Sequence, residues 1–155
     1  MRSKVAGAML LAFGIGLAGA GAGLAAGSAD DMINARQAAM KTTTKAMKAL
    51  VSILKGESAY DNAAVQGAVK SIRDAQAGAA AAGAWDASSQ TGGTVQTKAR
   101  PEVWSDAAGF AAAWSTMDKA LAAIAAAGDE AGFKAAFPAL GAACKGCHEK
   151  YRAAE

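Results

Sequence analysis

Near the C-terminus stands Cys144-Lys145-Gly146-Cys147-His148, which holds both cysteines and the one histidine of the 155-residue chain. On a helix, residues three and four apart share one face, with Cβ atoms about 5–6 Å apart. Cys144 and Cys147 would therefore present two thiols side by side, and His148 would offer a ring nitrogen on the same face. C-x-x-C-H is the attachment signature of c-type haem. Each thiol forms a thioether to one of two neighbouring vinyl groups, while the imidazole reaches the iron beneath the ring. Gly146 lets a flat macrocycle press against the backbone. Three other chemistries fit less well. A thioredoxin-like Cys-x-x-Cys wants a preceding strand and a helix N-terminus at the motif. Two cysteines and one histidine fall short of the four ligands of a tetrahedral zinc site. A disulfide between positions i and i+3 of a helix is strained.

The elements that must position this motif are read from the rest of the chain. Apolar residues make up 53%, charged residues 19%, and there are two prolines, so disorder and collagen are both excluded. Much of the apolar fraction is alanine and glycine, which allow close helix packing but fill little volume. Arg2 and Lys4 precede an uncharged run from Val5 to Ala29 that ends in small residues. This pattern reads as a secretory signal over residues 1–27, with cleavage between positions 22 and 29. The competing reading is an uncleaved membrane anchor, since the run is long enough to span a bilayer; its glycine and alanine content weakens insertion. Losing Arg2 and Lys4 lowers Lys+Arg from 16 to 14 against 13 Asp+Glu, so the net charge falls from +3 to +1. A nearly neutral surface disfavours nucleic acid and, once the signal is removed, a membrane as partner. Export also puts the cysteines in an oxidising compartment, where they should form a disulfide or be bonded to something else.

Residues 28–155 read as one all-α domain, an antiparallel four-helix bundle. Asp30 or Asp31 is the expected cap of a first helix that stops at Gly56. Its apolar seam is Ile33, Gln37, Met40, Thr44, Met47, Val51 and Leu54, in alternating steps of four and three. Asp61 opens a second helix with Val65, Ala68, Ile72, Ala75 and Ala79 on one face. A polar stretch, Ser88-Ser89-Gln90-Thr91-Gly92-Gly93-Thr94, predicts a long loop between the halves. Pro101 suits the first turn of a third helix, whose seam Val103, Ala107, Phe110, Trp114, Met117, Leu121 and Ile124 continues unbroken to Gly128. Asp129 caps a fourth, with Phe133, Phe137, Leu140, Cys144, Cys147, His148 and Tyr151 on its face and a kink expected at Pro138. No window alternates with period two, so no strand is predicted.

A haem motif in the last helix of an exported four-helix chain resembles the cytochrome c′ family. The resemblance extends to Arg36-Gln37-Ala38-Ala39-Met40 in the first helix and to Lys55-Gly56-Glu57-Ser58-Ala59-Tyr60-Asp61 in the first turn. Arg100-Pro101-Glu102-Val103-Trp104-Ser105 is similar to the opening of the family's third helix, and Cys144 to Arg152 is the most specific part. It implies one covalent haem c held by Cys144 and Cys147, with His148 as the axial iron ligand. Arg36 and Gln37 look like contacts to the haem propionates, and an arginine fork suits a carboxylate. Thr97 and Lys98 lie where the family places another haem-edge contact, although an acidic residue is common there and Lys98 departs from that. Arg152 looks like the family's proximal arginine, acting on the ligand histidine from behind. Met40 lies on the distal side. It either crowds that face or supplies a sixth ligand, as in low-spin relatives of the same fold.

The resulting expectation is a periplasmic monohaem cytochrome with five-coordinate iron that carries electrons, binds nitric oxide and carbon monoxide, and forms homodimers. The alternatives are a Met/His-ligated electron carrier, or a nitric oxide binding and protection protein without an electron-transfer role. The redox partner protein is not specified by the sequence, and no nucleophile–base pair or acidic dyad suggests a substrate-converting enzyme. If the attachment is covalent, acid–acetone extraction leaves the haem on the polypeptide, and Cys144→Ala combined with Cys147→Ala abolishes holoprotein. Haem released from the wild-type chain by that solvent would refute the c-type assignment.

Overall fold

The computed structural model describes residues 27–154. They form α1 (Ala29–Leu54), α2 (Asn62–Ala81), α3 (Glu102–Ser105), α4 (Ala107–Ala126) and α5 (Glu130–Tyr151), with a short 3-10 turn at Ala87–Ser89. The expected export signal lies, except for Gly27, outside the described residues. Among the described residues no helix is long and apolar enough to cross a membrane. The all-α expectation holds. The one extended pairing among these residues is an isolated antiparallel bridge between Ala99 and Arg152. Helices α1 and α2 form one hairpin and α4 and α5 a second, and packing within each is far more extensive than packing between them.

Local chemistry sets the helix ends. Asp61 and Asp129 cap α2 and α5 as their sequence positions predict. At α1 the cap is Ser28, not Asp30 or Asp31. Its hydroxyl accepts the Asp31 N–H at 3.2 Å, and the Asp31 carboxylate accepts the Ser28 N–H at 3.0 Å. This reciprocal arrangement satisfies two otherwise orphaned donors. Asp30 instead accepts the N–H groups of Gly93, Thr94 and Val95, pinning the long loop to the start of α1. Those donors, led by Thr94 and Val95, hold the Asp30 carboxyl below the usual carboxylate range. α1 stops two residues before Gly56, whose φ of +73° lets the Glu57 N–H turn back to Ser52 O at 2.9 Å.

The third predicted helix is interrupted. Asp106 (φ −118°, ψ 56°) ends α3, and its side chain starts α4 by accepting the Gly109 N–H at 3.1 Å. The break leaves Ala107 exposed, although the apolar spacing assigns it to the seam. Gly109 is required here, because a Cβ would come within 2.2 Å of Asp106 Oδ2 and 2.6 Å of Tyr151 Oη. α5, by contrast, runs through Pro138 as one helix, with the proline on its exposed side.

The inward face of α1 is also one residue away from the predicted seam. The residues that turn inward are Arg36, Ala39, Ala46, Leu50 and Ile53, all buried, with Thr43 half-buried among them. Gln37, Met40, Met47, Val51 and Leu54 are half-buried on the flank and Thr44 is exposed. One residue is about 100° of helix rotation at 3.6 residues per turn. On α2 the line is Val65, Val69, Ile72, Gln76 and Ala79, with Ala68 and Ala75 beside it.

Two apolar clusters result. The larger unites Leu50, Ile53, Val65, Ile72, Leu121, Ile124, Phe133 and Leu140 at the end of the bundle where α1 finishes. The smaller consists of Ala39, Ala79 and Ala84 toward the other end. Phe133 is fully buried and touches the rings of Tyr60 and Phe137. Truncating it removes contact that the alanines around it cannot restore. Phe133→Ala should cost about 3–5 kcal/mol, read as a shift in urea midpoint at unchanged slope.

Candidate functional site

The last two turns of α5 carry the cysteine–histidine motif. Cys144 and Cys147 are half-buried and not joined to each other, and Cys144 packs against the margin of the larger cluster. Burial raises the pKa of both thiols, and the neighbouring Cys144 raises that of Cys147 further. This is opposite to the lowered values of reactive Cys-x-x-Cys pairs. His148 borders a cavity of about 430 Å³ together with Arg100, Glu149 and Arg152. Partial burial, and then the charge of Arg152, lowers the imidazole's pKa, which favours the neutral, metal-ligating form.

Two connections hold this end of α5. The Tyr151 hydroxyl donates to Asp106 at 2.9 Å, and Lys150 pairs with the same carboxylate. The segment before α3 runs alongside: Arg100 N donates to Tyr151 O at 3.0 Å and Ala153 N to Lys98 O at 2.8 Å. Arg152, whose N–H closes on His148 O at 3.1 Å, faces Ala99 across the isolated bridge. Lys98 and Arg152 thus flank the His148 turn on adjoining strips of chain, both with exposed side chains.

Arg36 is 4% exposed, and its guanidinium closes the loop rather than pointing outward. Nη1 donates to Ala84 O at 2.7 Å and Ser89 Oγ at 2.9 Å; Nη2 donates to Ser89 O and Thr97 Oγ1, both at 2.9 Å. The rings of Trp85 and Trp104 lie over it at 5.5 and 5.6 Å. Burial lowers its pKa, yet a guanidinium keeps its charge in a protein. Gln37 Nε2 donates to Gln96 O at 2.7 Å. The structure therefore brings Arg36, Gln37 and Thr97 into one cluster where α1 meets the loop.

Met40 stands half-buried one turn beyond Arg36, and Thr43 follows three residues later. An aromatic array extends from this region toward α5. Trp85 touches Phe110 and Trp114 at 5.0 and 5.7 Å, and Phe110 touches Tyr151 at 5.1 Å. Between α2 and α4 opens a cavity of about 500 Å³ lined by Arg73, Gln76, Ala77, Trp114, Met117 and Asp118. Sequence reasoning missed Ser89, Asp106, Thr43 and Gln76. For Asp106 the signal was present, an aspartate three residues before a glycine inside a helical pattern; for the others no periodic signal exists.

These residues fit a haem. Two neighbouring thiols and an imidazole share one helix face, at the level where the larger core cluster ends and half-buried aromatic and methionine side chains begin. On α2, Gln76 Oε1 is buried with no hydrogen-bond partner. Among the described residues no three His, Cys, Asp or Glu side chains gather to hold a bare metal ion.

The family model described as Cytochrome C′ matches residues 31–152. The chain belongs to the cytochrome c′ family. Cytochrome c′ of Rhodopseudomonas palustris is 37% identical over 141 residues, covering 89% of this chain and 92% of that one. Cytochrome c-556 of Agrobacterium tumefaciens is 34% identical over 124 residues, covering 77% and 95%. A solved nitric oxide complex of a single-site variant of cytochrome c prime from Alcaligenes xylosoxidans superposes with a TM-score of 0.71 at 30% identity, covering 82% of this chain and 98% of that one. The four-helix architecture and a haem cofactor follow from this membership.

Asp106 ties the motif helix to α4, and its carboxyl is held below the usual range by hydrogen bonds from Lys150, Tyr151 and the Gly109 N–H, in that order. A carboxylate whose folded pKa is depressed stabilises the fold above its unfolded value of about 3.9, and that contribution disappears as pH falls through the folded pKa. Asp106→Asn should therefore lower the thermal midpoint at pH 7 and narrow its fall between pH 4 and pH 2. An acid limb as steep as in the wild type would contradict this role.

Proposed function

We propose that the chain is an exported cytochrome carrying one haem c, joined through Cys144 and Cys147 and ligated by His148. The observation that carries the reading is the placement of two thiols and the imidazole at positions i, i+3 and i+4 of α5 in a chain of the cytochrome c′ family. When bound, the haem supplies a one-electron ferric/ferrous couple and an open coordination site for small gases. The protein supplies the rest. The Asp106–Lys150–Tyr151 connection fixes the helix turn that carries His148, and Arg152 biases its imidazole toward the neutral form. Trp85, Phe110 and Trp114 exclude water from the interior.

In this reading Met40 crowds the distal side, leaving the iron five-coordinate and accessible to nitric oxide and carbon monoxide. The nitric oxide complex of the Alcaligenes relative supports this reading. The second reading, Met40 as sixth ligand in a low-spin carrier, draws support from the half-buried thioether one turn beyond Arg36. Electron exchange with a redox protein, a periplasmic location after cleavage of residues 1–27, and a homodimer complete the proposal. No substrate-converting role is proposed.

Visible spectra of the oxidised and reduced protein, with and without carbon monoxide, test it. The expected result is a high-spin ferric spectrum, one haem per chain, and a carbon monoxide adduct of the reduced protein. Met40→Ala should accelerate gas association without changing the spin state. A near-infrared thioether-to-iron band that Met40→Ala abolishes would instead establish the low-spin carrier.

A further inference from the structure

The net charge of +1 on residues 28–155 conceals an uneven distribution. After Asp31, α1 contains no carboxylate, and the next acidic residue is Glu57, beyond its end. Within that stretch Lys41, Lys45 and Lys48 are exposed, spaced four and three residues apart. They therefore share one strip of the helix, about 10 Å long. Lysines elsewhere face carboxylates, as Lys70 does Asp74 and Lys150 does Asp106. Among the described residues Lys41, Lys45 and Lys48 have no such partner. Apart from these three, residues 28–155 carry a net charge of −2. Helix stability does not account for the strip. Like charges three and four residues apart weaken a helix. Cations stabilise the last turn, where free carbonyls gather, yet α1 has no basic residue there.

We propose that this strip of α1 docks an acidic electron-transfer protein, whose carboxylates meet Lys41, Lys45 and Lys48; this rests on the electron-exchange reading above. In that reading Met40, one residue before Lys41, crowds the distal side of the haem. A partner on the outer face of α1 then stands one helix diameter, about 10–12 Å, from that side. Two other occupants fit less well. Ala38, Thr42 and Ala49 fill the exposed surface beside the lysines, so no large apolar side chain is there to enter a lipid layer. Three cations also fall short of the clusters of roughly four to eight that hold anionic lipid. A two-fold pairing of this chain through the same face would set lysine against lysine. The exposed ammonium groups act chiefly on encounter. They orient an oppositely charged partner and speed its association, and salt screens them beyond about 10 Å at 0.1 M.

Stopped-flow reduction of the ferric holoprotein by a plant-type iron–sulfur ferredoxin, an acidic one-electron donor, tests this from about 10 mM to 0.5 M salt. A neutral reduced flavin serves as the control donor. Wild-type reduction by the ferredoxin should be fastest at low salt and slow steeply as salt rises. Lys41→Gln, Lys45→Gln and Lys48→Gln combined should cut the low-salt rate about tenfold and flatten its salt dependence. The flavin rate should stay unchanged, and the thermal midpoint should stay equal or rise. The same salt dependence in both proteins, or an equal loss of rate with the flavin, would overturn the docking surface. So would wild-type binding to vesicles of phosphatidylcholine and phosphatidylglycerol that the triple variant loses, which gives the face to a membrane. A dimer that the triple variant alone shifts on sedimentation would give it to a second copy. A ferric protein that neither donor reduces would overturn the electron-exchange reading and the docking surface with it.

Discussion

A guanidinium in a position where a bundle helix normally buries an aliphatic side chain determines much of this structure. Burying a charge is costly unless it is hydrogen-bonded on several sides. Arg36 meets that requirement with Ala84, Ser89 and Thr97, all from the long connection between the two hairpins. Without these partners together the charge would be stranded inside the protein, so the loop is tied to α1. The two indole faces over the guanidinium add cation–π attraction and close the site to water. Consequences spread from there. Thr97 is fixed, the chain from 98 to 100 is laid along the end of α5, and the turn that bears His148 acquires backbone partners.

The second half of the bundle is organised by a carboxylate in a comparable way. Asp106 caps α4, receives the Tyr151 hydroxyl and pairs with Lys150, so one side chain both starts a helix and anchors the end of another. The two hairpins need such local ties because contact between them is sparse. Alanine lines much of α2, α4 and α5, giving close approach but little buried volume per residue. The large side chains are concentrated in one end of the molecule, around Leu50, Leu121 and Phe133. Outside that cluster the larger side chains, Trp85, Phe110 and Trp114 among them, are only half-buried.

This uneven packing explains what could be read from the amino-acid sequence and what could not. The cysteine–histidine spacing is local, so a haem cofactor was legible from five residues. Helix number and type were legible too, because long 4,3 patterns survive changes of tertiary context. The register of α1 was not. Counting apolar positions placed Gln37 and Met40 on the seam and ignored Arg36, whose burial depends on loop residues 48 to 61 positions away. Ser28 took the cap from Asp30 because the amides of Gly93 to Val95 claim that carboxylate. The break at Asp106 left one local trace, the glycine three residues on, but its hydroxyl and ammonium partners lie on α5. Each error came from a polar side chain whose partner is remote, which periodicity cannot register.

One face of α1 now gathers three different chemistries within two turns. Arg36, Met40 and Thr43 are spaced i, i+4 and i+7, which aligns them on neighbouring strips of the helix. The first is drawn toward the loop, the second stays on the flank, and the third turns inward to Gln76. In the proposed cytochrome α5 carries the residues that attach and ligate, their spacing set by the geometry of two thioethers and one imidazole on a helix face. α1 carries residues with no such constraint, free to differ in size and polarity while the bundle stays intact. Attachment and tuning are thereby assigned to separate helices in separate hairpins. The sparse packing between those hairpins leaves room for side chains on α1 to change what reaches the iron without disturbing how it is held.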